Sequence, residues 1–167
     1  MTMQYDVKSV KRQSSGQILV GRYRVKQLNV IGNGTAGYMD VFDTTTAPTS
    51  VTYSQTGTTI TVTHNTHGYS AGQQIGLAFL PATGVAAVSG NYTIVTVATN
   101  TYTVTAINSE SIAGGTGAFE APRYVYGLNT SSGVQPFQVL VPGEGFLVEN
   151  GAYINSSNIS SVTVTYG

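Results

Sequence analysis

The sequence has no cysteine and no tryptophan, and formal charges fall on only 8% of its 167 residues. An average soluble domain carries about 25% charged residues. Without cysteine there is no disulfide framework, no thiolate zinc site and no cysteine nucleophile. No apolar run approaches the roughly 18 residues that cross a bilayer, so no membrane partner is expected. The first twelve residues, MTMQYDVKSVKR, lack the apolar stretch of a signal peptide. The chain is therefore expected to be made in a cytoplasm. Matches such as Asn91-Tyr92-Thr93 and Asn158-Ile159-Ser160 are then expected to carry no glycan. Seven basic and seven acidic residues cancel, which argues against a broad nucleic-acid surface. Hydrophobic residues make up 41%, enough to exclude the low-hydrophobicity composition of disorder. The length suits one domain, or one domain carrying a small second one, with a real core.

The few charges are unevenly placed. Six of the seven cations are Lys8, Lys11, Arg12, Arg22, Arg24 and Lys26, opposed in that stretch only by Asp6. Six acids follow, Asp40, Asp43, Glu110, Glu120, Glu144 and Glu149, opposed only by Arg123. From Thr44 to Ser109 the sole titratable side chains besides tyrosine are His64 and His67. One consequence would be pairing of basic with acidic strands inside the fold. The other is a basic arm or face that meets an acidic partner, which makes the six cations candidate docking residues.

Helical periodicity is missing, and Thr, Val, Tyr and Ile alternate between Gly and Asn punctuation, which is strand composition. Ile18–Ile31 reads as one long strand or a bent pair. Within it Tyr23 and Val25 share one face, whereas Leu28 and Val30 fall on the opposite parity, which predicts a bulge near Lys26–Gln27. Gly32–Gly37 reads as a hairpin turn leading to a strand at Tyr38–Phe42. Further strands are expected at Thr58–Thr63, Gln74–Phe79, Tyr92–Val97, Tyr102–Ala106, Arg123–Leu128, Pro136–Val141, Gly145–Glu149, Ala152–Ile154 and Val162–Tyr166. This predicts an all-β fold, a β-sandwich or barrel. Linker-like compositions at Asp43–Pro48 and Ile112–Gly117 divide the chain into a discontinuous outer β domain, 1–48 with 118–167, and a small all-β module, 49–117, inserted in one of its loops.

No constellation of residues carries chemistry. Gly32-Asn33-Gly34-Thr35-Ala36-Gly37 is a literal G-x-G-x-x-G, but the dinucleotide site needs a helix to begin inside it, and Tyr38-Met39-Asp40-Val41-Phe42 is strand-like. His64 and His67 are three apart, a spacing that shares a metal on a helix face and fits a strand-to-turn segment poorly, with no Cys, Asp or Glu within 20 residues. Their plainer role is a turn whose imidazole bonds to backbone. There is no G-x-S-x-G elbow. Glu144 and Glu149 as paired glycosidase acids would need aromatic sugar platforms, and Glu144 sits in a Pro-Gly-Glu-Gly turn. Neither an enzyme nor a cofactor is expected.

Three stretches of the outer domain carry a resemblance. They are Gly34-Thr35-Ala36-Gly37 leading to Asp40-Val41-Phe42-Asp43-Thr44-Thr45-Thr46-Ala47-Pro48, then Val139-Leu140-Val141-Pro142-Gly143-Glu144-Gly145, then Ile159-Ser160-Ser161-Val162-Thr163-Val164-Thr165-Tyr166-Gly167. Together they resemble small all-β virion structural proteins of tailed bacteriophages, notably those of marine bacteria and cyanobacteria. The stretches His67–Gln73 and Ser89–Val97 are similar to small β modules of phage tail and fibre proteins. The resemblance implies a capsid decoration, or cement, protein on the outer head surface. Its partner would be the major capsid protein and its location the virion. It would self-associate, with a trimer expected because a surface this poor in charge is sticky as a lone copy. Alternatives are a tail, neck or fibre-associated structural protein, or a host-surface glycan-binding module that uses tyrosines.

Overall fold

The computed structural model describes residues 7–81, 84–134 and 136–167; Asp6 lies outside them. The strands are β1 (Lys8–Arg12), β2 (Gly16–Val20), β3 (Tyr23–Gly32), β4 (Gly37–Asp43), β5 (Thr49–Thr63), β6 (Gln74–Phe79), β7 (Gly90–Val97), β8 (Thr101–Ala121), β9 (Tyr124–Thr130), β10 (Pro136–Leu140), β11 (Phe146–Val148), β12 (Gly151–Ser157) and β13 (Ile159–Tyr166). They form two compact units, one of residues up to Ala47 with Val125–Gly167, the other Pro48–Tyr124. The fold is all-β, in three antiparallel sheets.

The discontinuous unit is a sandwich. One sheet runs β1-β13-β3-β10 with β11 also on β3, and the other runs β2-β12-β4-β9. Val25, Leu28, Val30, Val162 and Val164 from the first sheet meet Ile18, Leu19, Met39, Val41 and Ile154 from the second in one core. The bulge lies where the alternation of apolar residues breaks. The pairing of β13 with β3 jumps from Thr165↔Gln27 to Tyr166↔Val25, leaving Lys26 as the extra residue. That one residue lets Val25 and Leu28, of opposite parity, both face the core.

The continuous unit is one sheet, β5-β8-β6-β7, in which β7 also pairs with β8. The first part of β8 pairs with β7 and its last part with β6, so the sheet wraps around a core of Val51, Tyr53, Ile60, Val62, Leu77, Ile94, Tyr102 and Val104.

Several expectations need correction. Ile112–Gly117 is not a linker: it is the interior of β8, paired with β5 from Ile112↔Gln55 to Gly117↔Thr52. Ala113, Gly114 and Gly115 fill a register shift between Ile112↔Gln55 and Thr116↔Tyr53, where Gly115 has φ +86°, and the compact unit ends at Tyr124, not Gly117. Gly32–Gly37 is not a hairpin, because β3 and β4 belong to different sheets. In this crossing Gly34 has φ +101°, and a Cβ on Gly37 would lie 2.2 Å from the Ser157 carbonyl oxygen. The glycine motif therefore serves a left-handed bend and a close backbone approach.

Candidate functional site

The basic N-terminal segment is a strand. Among the described residues β1 is the edge of the five-stranded sheet and pairs with β13 alone. Cross-strand register sorts its cations. Lys11 stands opposite Thr163, Thr163 opposite Asn29, and Asn29 opposite Gln138. This makes a polar row across four strands on the solvent face, to which Arg24 and the bulged Lys26 also belong. Arg12 falls in the other row, with Val162 and Val30. Its guanidinium turns to β2, where Nη1 donates to the Gln17 carbonyl at 2.6 Å. Arg22 is held by Glu149 at 2.8 Å, and Arg24 reaches Glu144 at 3.9 Å. Lys8 stands opposite Tyr166. Of the six cations, Lys11, Arg24 and Lys26 thus share one outward face. Arg24 of these three and Arg22 are paired with carboxylates, and Arg12 serves the fold.

Three carboxylates are buried among the described residues, Asp40, Asp43 and Glu120. Asp43, at the end of β4, accepts backbone hydrogen bonds from Glu149 N (2.9 Å), Asn150 N (2.8 Å) and Gly151 N (3.3 Å). It fixes the turn from β11 into β12, the same turn that carries the Glu149 partner of Arg22.

Glu120, near the end of β8, is not an ion-pair partner for the basic strands. It lies inside the continuous unit, among aromatic side chains. Tyr69 Oη donates to Oε1 at 2.9 Å and Tyr102 Oη to Oε2 at 2.6 Å. His64 Nδ1 lies 2.6 Å from Oε1, within ion-pair distance but out of line for a hydrogen bond. Burial and the adjacent carboxylate both raise the phenol pKa of Tyr69 and Tyr102. The loop that delivers His64 and Tyr69 is held by Asn100, whose carbonyl accepts from His64 N and whose side chain accepts from Thr66 N. Thr66 has φ 54°, a strained value for a β-branched residue. His67 bonds to backbone, as its turn position suggested. Its Nδ1 accepts from Tyr69 N, which places the proton on Nε2, beside the carbonyls of Ala98 and Thr101. His67 also stacks on Tyr69, with ring centroids 5.2 Å apart.

The histidine pair has a carboxylate neighbour after all, supplied from distant sequence by the wrapping of the sheet, which brings the two ends of β5 together. Thr49 stands opposite Glu120 at one end of β5, and His64 follows its other end. Among the described residues, no three side chains of metal-ligating type come together. What the cluster does chemically is orient His64 beside a fixed negative charge and lock two phenols as donors. His64 also borders an open depression of about 360 Å³, with Ser50, Val51, Thr52, Thr63 and Asn65. No family model, curated protein or solved structure matches the chain.

Proposed function

We propose that the protein is a virion structural protein of a tailed bacteriophage, a capsid decoration protein that docks on the outer head surface. The sequence resemblance supports this reading. The observation that carries it is the collection of Lys11, Arg24 and Lys26 on the outward face of one sheet, among Thr, Asn and Gln side chains, with Glu144 beside Arg24 as the one acid named there. Such a face suits an acidic, repeated protein lattice. Each exposed ion pair is worth about 0–1 kcal/mol, so affinity would come from many copies engaging a lattice and would fall with salt.

The test is a triple change, Lys11→Ser, Arg24→Ser and Lys26→Ser, with occupancy on purified particles measured across salt. Arg12 is left in place because it bonds to β2. Lower occupancy with a flattened salt dependence is expected. Unchanged occupancy in a folded variant removes the docking face. A count of copies per particle that fits a tail or neck ring, and not the head lattice, would move the protein to the tail.

A further inference from the structure

The glycine motif holds one of two Asn-Gly pairs in the chain, Asn33-Gly34 and Asn150-Gly151. In such a pair the glycine nitrogen can attack the preceding side-chain amide, because glycine has no Cβ to block the approach. The fold treats the two pairs in opposite ways, and the difference lies at the attacking nitrogen. Gly151 N donates to Asp43 Oδ1 at 3.3 Å, and Asn150 N donates to the same oxygen at 2.8 Å. A carboxylate acceptor holds the glycine proton in place, and withdrawing the nitrogen would cost a buried carboxylate one of its donors. Gly151 is itself buried, and a Cβ on it would lie 2.6 Å from the Leu19 carbonyl oxygen. The backbone there is packed too closely to turn onto the Asn150 side chain.

At the other pair Asn33 is exposed and Gly34 half-buried. Among the described residues the Gly34 carbonyl accepts from Gly133 N, and the Gly34 nitrogen donates to nothing. Thr35 N donates to Asn33 Oδ1 at 3.0 Å. This Asx turn spans Gly34 and folds the side-chain amide back along the backbone. The same bond polarises the Cγ carbonyl and faces the oxygen on which negative charge grows during attack. Nδ2, the group that must leave, is held by one long bond, to Asn158 Oδ1 at 3.4 Å.

We propose that Asn33 is a site of spontaneous modification, converted through a cyclic imide to aspartate and isoaspartate, and that Asp43 shields Asn150 from the same reaction. Gly34 N bonds to Asn33 Cγ, the Cγ–Nδ2 bond breaks, and the proton from Gly34 N leaves with Nδ2 as ammonia. Water then opens the imide. Attack at the backbone carbonyl gives isoaspartate, and attack at the side-chain carbonyl gives aspartate. No electrons are transferred, and water is the co-reactant. The product carries a carboxylate where Nδ2 donated, so the tie from the crossing to Asn158 is lost and the net charge falls by one. The proposal goes beyond the docking reading and does not depend on it, since it concerns the purified chain with no particle present.

The test incubates the full chain in mildly alkaline buffer and follows the two Asn-Gly peptides by mass, alongside the same chain unfolded in guanidinium. Unfolded, the two pairs are expected to react at comparable rates. Folded, Asn33 should keep close to its unfolded rate. Asn150, which can react only through local opening, should fall about tenfold or more below its own. Isoaspartate and a more acidic band on isoelectric focusing should grow with the Asn33 product. Neither should grow at that rate in Asn33→Gln, whose extra methylene closes a larger ring more slowly. Asp43→Asn keeps an oxygen but loses the charge, and should speed the reaction at Asn150 without moving Asn33. Three results would each overturn the proposal: equal rates at the two pairs in the folded chain, an Asn33 rate that falls on folding as far as that of Asn150, or a folded Asp43→Asn protein in which Asn150 reacts as slowly as in wild type. Should Asp43→Asn not fold, the first two comparisons still decide.

Discussion

The two units hold a buried carboxylate in opposite ways. In the sandwich, Asp43 takes three backbone N–H groups from one turn. In the continuous unit, Glu120 takes two phenol hydroxyls and a neighbouring imidazole from two places in the chain, the His64–Tyr69 loop and the start of β8. A backbone clamp is short, and its donors cannot titrate. A side-chain cluster is an assembly of rotamers and exchangeable protons, so it stands or falls with the packing around it. Asp43 therefore works as a fastener for one turn, and Glu120 as the polar centre of a core.

The sharpest way to break this comparison is Asp43→Ala. It would strand up to three N–H groups in a buried turn, and loss of charged hydrogen bonds to buried donors costs about 3 kcal/mol or more. The sandwich is expected to lose stability by that order in denaturant melts, and protection of the Glu149–Gly151 amides in hydrogen exchange should fall with it. If those amides stay protected, water or another group has replaced the clamp.

Glu120→Gln should act more mildly, by about 1–3 kcal/mol. It keeps an oxygen for one tyrosine and offers an NH2 group to the other, whose hydroxyl must then turn to accept and leaves its own proton without a partner. Tyr102→Phe in the same background should recover part of the loss by removing the mismatched hydroxyl. If the pair is instead additive, the two groups are not coupled.

The smallest effect concerns pH. Tyr69 and Tyr102 have folded pKa values raised by burial and by Glu120, against an unfolded value near 10. Below about pH 10 both states are protonated and this stabilising term is fully present. Above it the unfolded chain ionises first, so stability falls as pH rises towards the folded values. Tyrosinate absorbance should show these two phenols ionising late. The Glu120→Gln variant should show them earlier, with a shallower alkaline loss of stability. Identical titration curves for the two proteins would remove Glu120 as a cause.

Much of this molecule was legible without coordinates, where the signal was local. Period-two alternation located β6 at Gln74–Phe79 and most of the other strands. The parity break between Val25 and Leu28 located the bulge at Lys26, because a strand can bring both residues to one core only by inserting one between them. The turn role of His67 followed from its neighbours Thr66 and Gly68. The Glu120 cluster was not legible, since His64 and Glu120 meet only where the wrapped sheet brings the two ends of β5 together, and no short-range pattern encodes which segments meet. For the same reason Gly32–Gly37 looked like a hairpin although it passes between sheets. Gly114–Gly117 looked like a linker because glycine marks a loop in sequence, yet the strand passes through a register shift there and resumes its pairing at Thr116 and Gly117. Alternation along one strand is set by its own residues. The partner of that strand and the burial of Asp43 and Glu120 are set by contacts between distant segments, which only the packed fold decides.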